Sequence, residues 1–436
     1  MGHIRTVRKF KKIGFLDITD GSSYKNLSVV CKDVNLLNDF KVGQSVYLEG
    51  TVVESKGTQD YELSFDVNKH KIKIVGDIED SYPIQKKETS FQFLRTIPEF
   101  RHRTSTLASI LRLRSDIEFS LLNFFKKQDF VKVTPPMVTS ADTEGAGEQF
   151  ALEPINPRSN IVNGKEEIDH FFGKPAYLTV STQLHLEILA ASLNRVWTLT
   201  PCFRAEYSNT NRHLSEFWML EAEISFVEEI SQLTDFCEDM IKSVILDIKA
   251  NSEDVLGSRF NDAERQIMQE RWDITDKKWP SITYTEAITI LKNHDSSVQW
   301  GDSISTEHEK WLAGEHFQSP VFITDYPKSQ KPFYMPLSKN NDTSQPTVAC
   351  FDLIFPTIGE LIGGSLREHN YDKLVEELQS RGMKRDMNWY LAIRKNGSVP
   401  HGGFGMGFER LLLYLTSIEN IRDVVTFPRS PQSCDC

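Results

Sequence analysis

The run from Thr200 to Glu223, TPCFRAEYSNTNRHLSEFWMLEAE, gathers the residue types that can hold a large polyanion. Arg204 and Arg212 carry guanidinium forks, which grip phosphate oxygens two at a time. Phe217 offers a ring on which a base can stack, and Glu206, Glu221 and Glu223 can take a cation or an amino group. Phe203 to Glu206 reads as a strand end. The polar stretch from Tyr207 to Arg212 reads as a turn, and Glu216 to Glu223 as a second strand. The product is a strand–loop–strand hairpin with charge on one face; the plain alternative is a surface hairpin laced with salt bridges. A second stretch, HGGFGMGFER from His401 to Arg410, reads as a glycine-rich turn running into the apolar helix start Leu411–Leu415. Glycines let backbone approach a ligand, and a helix N-terminus favours anions. A ligand-free strand–helix turn is the competing reading.

The 436 residues, 39% apolar, suffice for two or three domains. No run of 18 apolar residues occurs, which argues against a transmembrane helix, and the first residues lack a signal-peptide core. Six cysteines are scattered without a CxxC pair, which favours a reducing compartment and no zinc site; Cys434-Asp-Cys436 reads as a frayed tail. Net charge is −11, yet residues 1–32 hold seven Lys or Arg against Asp17 and Asp20. A local patch of that kind can meet phosphates whatever the total, or it is a solvated segment.

Short strands with glycine turns recur at Phe15–Ile18, Leu27–Val30, Ser45–Val53, Tyr61–Phe65 and Lys71–Val75. Five strands with little helix predict a small barrel, best fitted by an OB-fold, which binds single-stranded nucleic acid on aromatics over a charged face. Phe15 and Arg5 are candidates for that face, although Phe15 fits a core position equally. Ser81 to Glu88 reads as a linker. Helical spacing follows at Thr104–Lys127, 231–250, 261–272 and 283–291. Helices and strands mix without a βαβ period, so the fold class is α+β.

These residues carry a family resemblance. FRAE with RHLSEF resembles motif 2 of the class II aminoacyl-tRNA synthetases, GFGMGFERLL resembles motif 3, and FVKVTPP at Phe130–Pro136 resembles motif 1. EGAGE from Glu144, STQLHLE from Ser181 and GELIGGSLRE from Gly359 resemble the asparaginyl branch. The resemblance spans about Ile4 to Arg429. It implies an OB-fold anticodon-binding domain over 1–80 with a shortened first strand, a linker over 81–100, and an antiparallel-sheet catalytic domain over 101–436. It also implies a two-step reaction: L-asparagine and ATP give an adenylate and pyrophosphate, then tRNA(Asn) accepts the aminoacyl group and AMP leaves. No protein nucleophile is needed; two anions must be brought together and charge at phosphorus stabilised.

By the same resemblance Arg204 bridges the attacking carboxylate and the α-phosphate. Glu206 meets the adenine amino group, Phe217 stacks under adenine (or simply packs in the core), and Arg410 covers its other face. Arg212 and His213 take the outer phosphates, with Gly407 and Glu409 completing the ATP site. Glu360 is the first candidate ligand for Mg²⁺; a serine common in aspartyl enzymes near Gly363 is absent. Glu144 and Gln183 line the amino-acid pocket, Arg367 donates to the substrate amide oxygen, and Glu187 accepts from its NH₂ or else faces solvent. Leu186 stands where aspartyl enzymes carry a lysine, and the buried like charge of Glu187 would reject an acidic substrate by about a thousandfold or more. Pro135 marks a homodimer interface. The rivals are an aspartate-charging enzyme, which Leu186 opposes, an ammonia-using asparagine synthetase, which lacks the barrel, and a dead RNA-binding paralogue. The last would show damage at Arg204, Glu360 or Arg410. Five Arg or Lys and no acid in the first 15 residues suggest mitochondrial import, with the cytoplasm as alternative.

Overall fold

Apolar residues at every second position of Gly14–Thr19 turn Leu16 and Ile18 inward and leave Phe15 and Asp17 outside. This is the pattern of a strand with one buried face. It belongs to a computed structural model that describes the chain apart from residues 58, 86, 88, 142–148, 163–164, 260, 340–341 and 384–386. Seven N-terminal strands run Gly2–Lys9, Gly14–Thr19, Leu27–Cys31, Ser45–Leu48, Thr51–Glu54, Tyr61–Phe65 and Ile72–Gly76. The run read as one strand from Ser45 to Val53 bends at Glu49-Gly50. Its first half pairs with Gly2–Lys9 and its second half with Tyr61–Phe65. Because Tyr61–Phe65 also pairs with Leu27–Cys31, and that strand with Gly14–Thr19, the bend closes the sheet into a barrel around Ile4, Leu16, Val29 and Val46.

The basic N-terminal run is itself the first barrel strand, paired along Gly14–Thr19 with an irregularity between Ile4 and Thr6. Its charges hid its apolar members: Ile4 is fully buried and Val7 packs on the same core. The linker is no loose tether either. It contains a short helix, Phe91–Arg95, capped by Ser90, and both Ile84 and Leu94 are buried in the core of the following domain.

That domain is built on eight strands in the order Ser281–Thr283, Val321–Thr324, Cys350–Phe355, Gly359–Leu366, His401–Gly407, Glu216–Ser225, Arg195–Phe203 and Val131–Lys132. All pairs are antiparallel except the outermost one at each edge. The expected long helices occur at Ser105–Lys127, Ile230–Ala250, Asp262–Trp272 and Tyr284–His294. Capping explains two of their starts: Glu229 with Gln232, and Thr283 with Glu286, form capping boxes. Phe125 of the first helix stacks on Trp197 of the sheet at 4.3 Å.

The glycine-rich segment departs from its reading as a turn: His401–Gly407 is a strand in the middle of the sheet. Its glycines make room for neighbours. A Cβ on Gly403 would lie 2.0 Å from Glu223 Oε2, and one on Gly405 would lie 2.8 Å from Met219 Cε. The adjacent strand obeys the same constraint, since a Cβ on Gly364 would lie 2.4 Å from the Phe351 ring. Gly364→Ala should therefore cost about 1–3 kcal/mol through overpacking, read as a lowered urea midpoint with an unchanged slope.

Candidate active site

The sheet is concave around a cavity of about 260 Å³. The hairpin builds one wall. Arg195–Phe203 and Glu216–Ser225 pair from Arg195 against Ile224 to Phe203 against Glu216, as the sequence implied. Period-two alternation puts Phe217, Met219, Glu221 and Glu223 on one face, and the last three line the cavity with Arg204. The Arg204 guanidinium lies 5.5 Å from the centre of the Phe217 ring.

Each glutamate is fixed by a different element. Glu221 accepts bonds from the hydroxyls of Ser181 and Thr182, and from the Thr182 amide at 2.9 Å. Glu223 is fully buried and paired with Arg367, whose Nη2 is 3.0 Å and Nε 3.1 Å from its oxygens. Arg367 also donates to Ser365 Oγ at 2.6 Å and lies over Tyr334. Burial works against the Arg367 charge, but Glu223 outweighs it and raises the guanidinium pKa. A fixed acceptor and a fixed donor thus stand side by side on the cavity floor, with Leu186 and Gln183 beside them.

Glu187 does not reach the cavity, against expectation. It is 2% exposed and accepts bonds from Gln183 Nε2 at 3.1 Å, Tyr390 Oη at 2.8 Å, His401 Nε2 at 3.1 Å and Arg394. Burial alone would raise its pKa; Arg394 first, then His401 and Arg367, hold it below the usual carboxylate range instead. The glutamate that does face the cavity beside Arg367 is Glu223. The signal that finds Glu223 is its parity with Glu221 on the hairpin strand.

The other end of the cavity is mixed in charge. Glu360 and Asp352 line it, and Asp352 pairs with Lys331 at 2.7 Å. Arg410 Nη1 donates to the Glu360 carbonyl at 2.8 Å. Arg212 reaches Thr306 Oγ1 at 2.6 Å, and burial followed by Arg410 lowers its pKa. Burial and Arg410 also lower that of His213, which takes hydrogen bonds with Thr210 and Ser208. Arg212 and Arg410 thus stand near Glu360 and His213 near both arginines, although none of the three lines the cavity itself. Glu309, which the sequence reading missed, joins them. Its Oε2 accepts the Glu360 amide at 3.2 Å, and burial, then Glu360, pushes its pKa up to about 7.

The profile of tRNA synthetases class II (D, K and N) matches residues 96–431, and that of an OB-fold nucleic acid binding domain matches residues 1–72. The chain belongs to the class II tRNA synthetases. Within that family it is 46% identical to the mitochondrial asparagine--tRNA ligase of Saccharomyces cerevisiae, over 100% of this chain and 92% of that protein. It is 41% identical to the asparagine--tRNA ligase of Microcystis aeruginosa, over 100% and 95%. The crystal structure of asparaginyl-tRNA synthetase from Pyrococcus horikoshii complexed with asparaginyl-adenylate superposes with a TM-score of 0.86 at 29% identity, covering 99% of this chain and 94% of that one.

The remaining expected residues of this class II synthetase divide unevenly. Glu409 is a correction: it is 1% exposed and spent on Arg114 at 2.9 Å and the Trp218 amide at 3.0 Å, locking the helix Phe408–Thr416 to the hairpin. Glu206 is half-buried beside the loop and does not line the cavity. Gly407 pairs with Met219 and precedes that same helix. Glu144 lies outside the described residues. Pro135 is buried within its own chain, while Val131, Met137 and Val138 around it are exposed. Arg5 and Phe15 do not share a face. Phe15 lies on the outer barrel surface under Arg8, 5.2 Å away, with Phe10 beside it, whereas Arg5 turns toward the catalytic domain.

Glu309 predicts a pH dependence. Its folded pKa of about 7 exceeds the ordinary glutamate value of 4.5, so the folded state keeps the proton longer. That contribution is complete below about 4.5 and is lost as pH rises toward 7. Glu309→Gln should flatten the ligand-free stability profile across this window and stabilise the protein at neutral pH by up to roughly 3 kcal/mol, as read by urea unfolding at several pH values.

Proposed function

We propose that this synthetase joins L-asparagine to tRNA(Asn) through an asparaginyl-adenylate made from ATP, with release of pyrophosphate and then AMP. One observation carries the amino-acid choice: the Glu223–Arg367 pair on the cavity floor. An amide offers one acceptor and one donor, which match Arg367 and Glu223. A carboxylate has no hydrogen for Glu223 and would bring a like charge into a desolvated site. Lys331 does not rescue an acid, since Asp352 already takes its charge. A floor of this kind discriminates by about 10⁴ or more without editing.

For activation, an oxygen of the asparagine carboxylate attacks the α-phosphorus of ATP, and the bond to the pyrophosphate oxygen breaks. Arg204 fits the bridging role because it lines the cavity together with Glu223 and Arg367 and with Glu360. Its fork offsets the mutual repulsion of the two anions and meets charge that grows at phosphorus. Arg212, His213 and Arg410 fit the outer phosphates, and Phe217 the adenine. Glu360 and Asp352 fit Mg²⁺: they share one wall, and burial and then Glu360, against Lys331, raise the Asp352 pKa. When bound, the ion neutralises triphosphate oxygens. Among the described residues no group of three or more His, Cys, Asp or Glu is placed to hold a metal alone, which suits an ion completed by phosphate and water. A Cβ at Gly363 would sit 3.2 Å from Glu360 Oε1, so the glycine leaves this space open.

The second step fits a barrel that carries Phe15, Phe10 and Arg8 on one exposed face for anticodon bases. The matched ranges support domains close to 1–80 and 101–436 with a packed linker between. The exposed apolar residues around Pro135, at the sheet edge, support a homodimer. Among the described residues no helix is long and apolar enough to cross a membrane. A mitochondrial location rests on the name of the yeast relative, because the basic N-terminal run is accounted for by the barrel; fractionation that recovers the native protein in the cytosol removes that reading.

Pyrophosphate exchange tests the whole. It should run with asparagine and not with aspartate, and Arg204→Ala should lower kcat/KM by about 10²–10³. Exchange with aspartate alone, or undiminished exchange in the variant, refutes the reading. Active wild-type enzyme should sediment as two chains; an active single chain refutes the dimer.

A further inference from the structure

A second cavity, of about 530 Å³, opens where the barrel, the linker and the start of the helix Ser105–Lys127 meet. Basic side chains line its walls: Arg5 from the first barrel strand, Arg103 ahead of the helix, and Arg112 on it, the last paired with Asp254 at 2.7 Å; the imidazoles of His3 and His102, whose pKa burial lowers, stand beside them. Arg5 makes no hydrogen bond or ion pair with any described residue, although its Nε is buried. His102 Nδ1 and Arg112 Nη2 are buried without a hydrogen-bond partner as well. Burial lowers the Arg5 pKa, Tyr82 opposes this, and Arg103 lowers it further; no carboxylate contributes. The acids on the same wall face other partners, Asp20 accepting from Ser22 and the Glu264 carboxylate lying 3.9 Å from Arg259 Nε.

The site is built rather than loose. Arg103 lies 5.7 Å from the Tyr82 ring centre and 5.1 Å from that of Phe100. Tyr82 presses on Gly43, where a Cβ would come within 2.3 Å of the ring and where φ is +100°. The helix beside them begins without a side-chain cap, because the Thr104 hydroxyl donates to the Arg101 carbonyl at 2.8 Å. Ser105 and Thr106, in its first turn, line the cavity. The positive end of a 23-residue helix thus opens beside the unpaired guanidinium.

A half-buried guanidinium with no counter-charge among the described residues is costly, and negative oxygens would relieve that cost together with the open amides. We propose that this cleft binds a phosphate group, gripped by Arg5 and Arg103 with Tyr82 as an aromatic wall. Phosphate can come from two sources: the free anion, or the backbone of a tRNA passing from the barrel to the catalytic cavity. The second source rests on the proposed charging function.

Full-length Arg103→Gln and Arg5→Gln proteins test this. Arg103 is exposed, so its variant should fold and keep the wild-type rate of asparagine-dependent pyrophosphate exchange, which needs no tRNA. If tRNA supplies the phosphate, both variants bind it several-fold more weakly, and the log–log salt slope becomes shallower by about 0.9 per lost contact. If the free anion is the ligand, inorganic phosphate raises the wild-type Tm, both variants lose that shift, and tRNA affinity is unchanged. Unchanged tRNA affinity together with no phosphate-dependent shift to lose overturns the proposal. Absence of asparagine-dependent exchange in the wild type would refute the charging function alone, and the phosphate shift would still decide the cleft.

Discussion

The arrangement of the catalytic domain turns on one ion pair withdrawn from water. Removing a carboxylate and a guanidinium from solvent costs several kcal/mol each, and their attraction repays this only when the geometry is good. Glu223 and Arg367 meet that condition through two bonds of 3.0 and 3.1 Å. The register makes it possible: Glu223 lies opposite Gly403, and the missing Cβ is the space its carboxylate occupies. A glycine-rich central strand loses conformational entropy and packing. Here that loss is the condition for burying a charge beneath a ligand.

Bracing extends outward from the pair. Glu187 joins the helix Gln183–Leu193 to Tyr390 and Arg394 of the helix Asn388–Lys395, and to His401 at the start of the glycine strand. Arg394 also donates to the Glu368 carbonyl, one residue beyond Arg367. Glu221 pins the N-terminus of the helix that carries Gln183 and Leu186. Two alternate residues of one strand therefore orient the surfaces on both sides of the amino-acid pocket. A floor held this way needs little rearrangement when substrate arrives.

Much of this was legible in the chain. The four long helices followed from apolar spacing, and the hairpin from its polar centre. The barrel followed from short alternating strands, although the first strand was hidden by its own charges. Placement at the cavity was legible where the residue type admits few uses: Arg204, Arg367 and Glu360 all line it. It was illegible where the answer lay across the sheet. Nothing along STQLHLE reveals that Glu187 faces Arg394, 207 residues away, and nothing near Glu409 reveals Arg114. A buried glutamate reads the same whether it grips a substrate or a neighbouring helix. Gly402 to Gly407 reads as a turn until the side chains it must accommodate are known.

The two ends of the cavity differ in how complete they are. At the floor each buried charge is answered by another. At the far end burial and then Arg410 lower the Arg212 pKa, while Glu360 stands close to both Glu309 and Asp352, the latter paired with Lys331. Like charges held this close favour whatever neutralises them, and a triphosphate with its cation supplies both signs at once. Arg204 lines the same cavity, 5.5 Å from the centre of the Phe217 ring. On the proposed reading the amino acid meets a surface already formed, whereas the nucleotide completes the one it enters. Discrimination then belongs to the rigid floor, and the charge that drives the reaction is gathered at the end that the nucleotide organises.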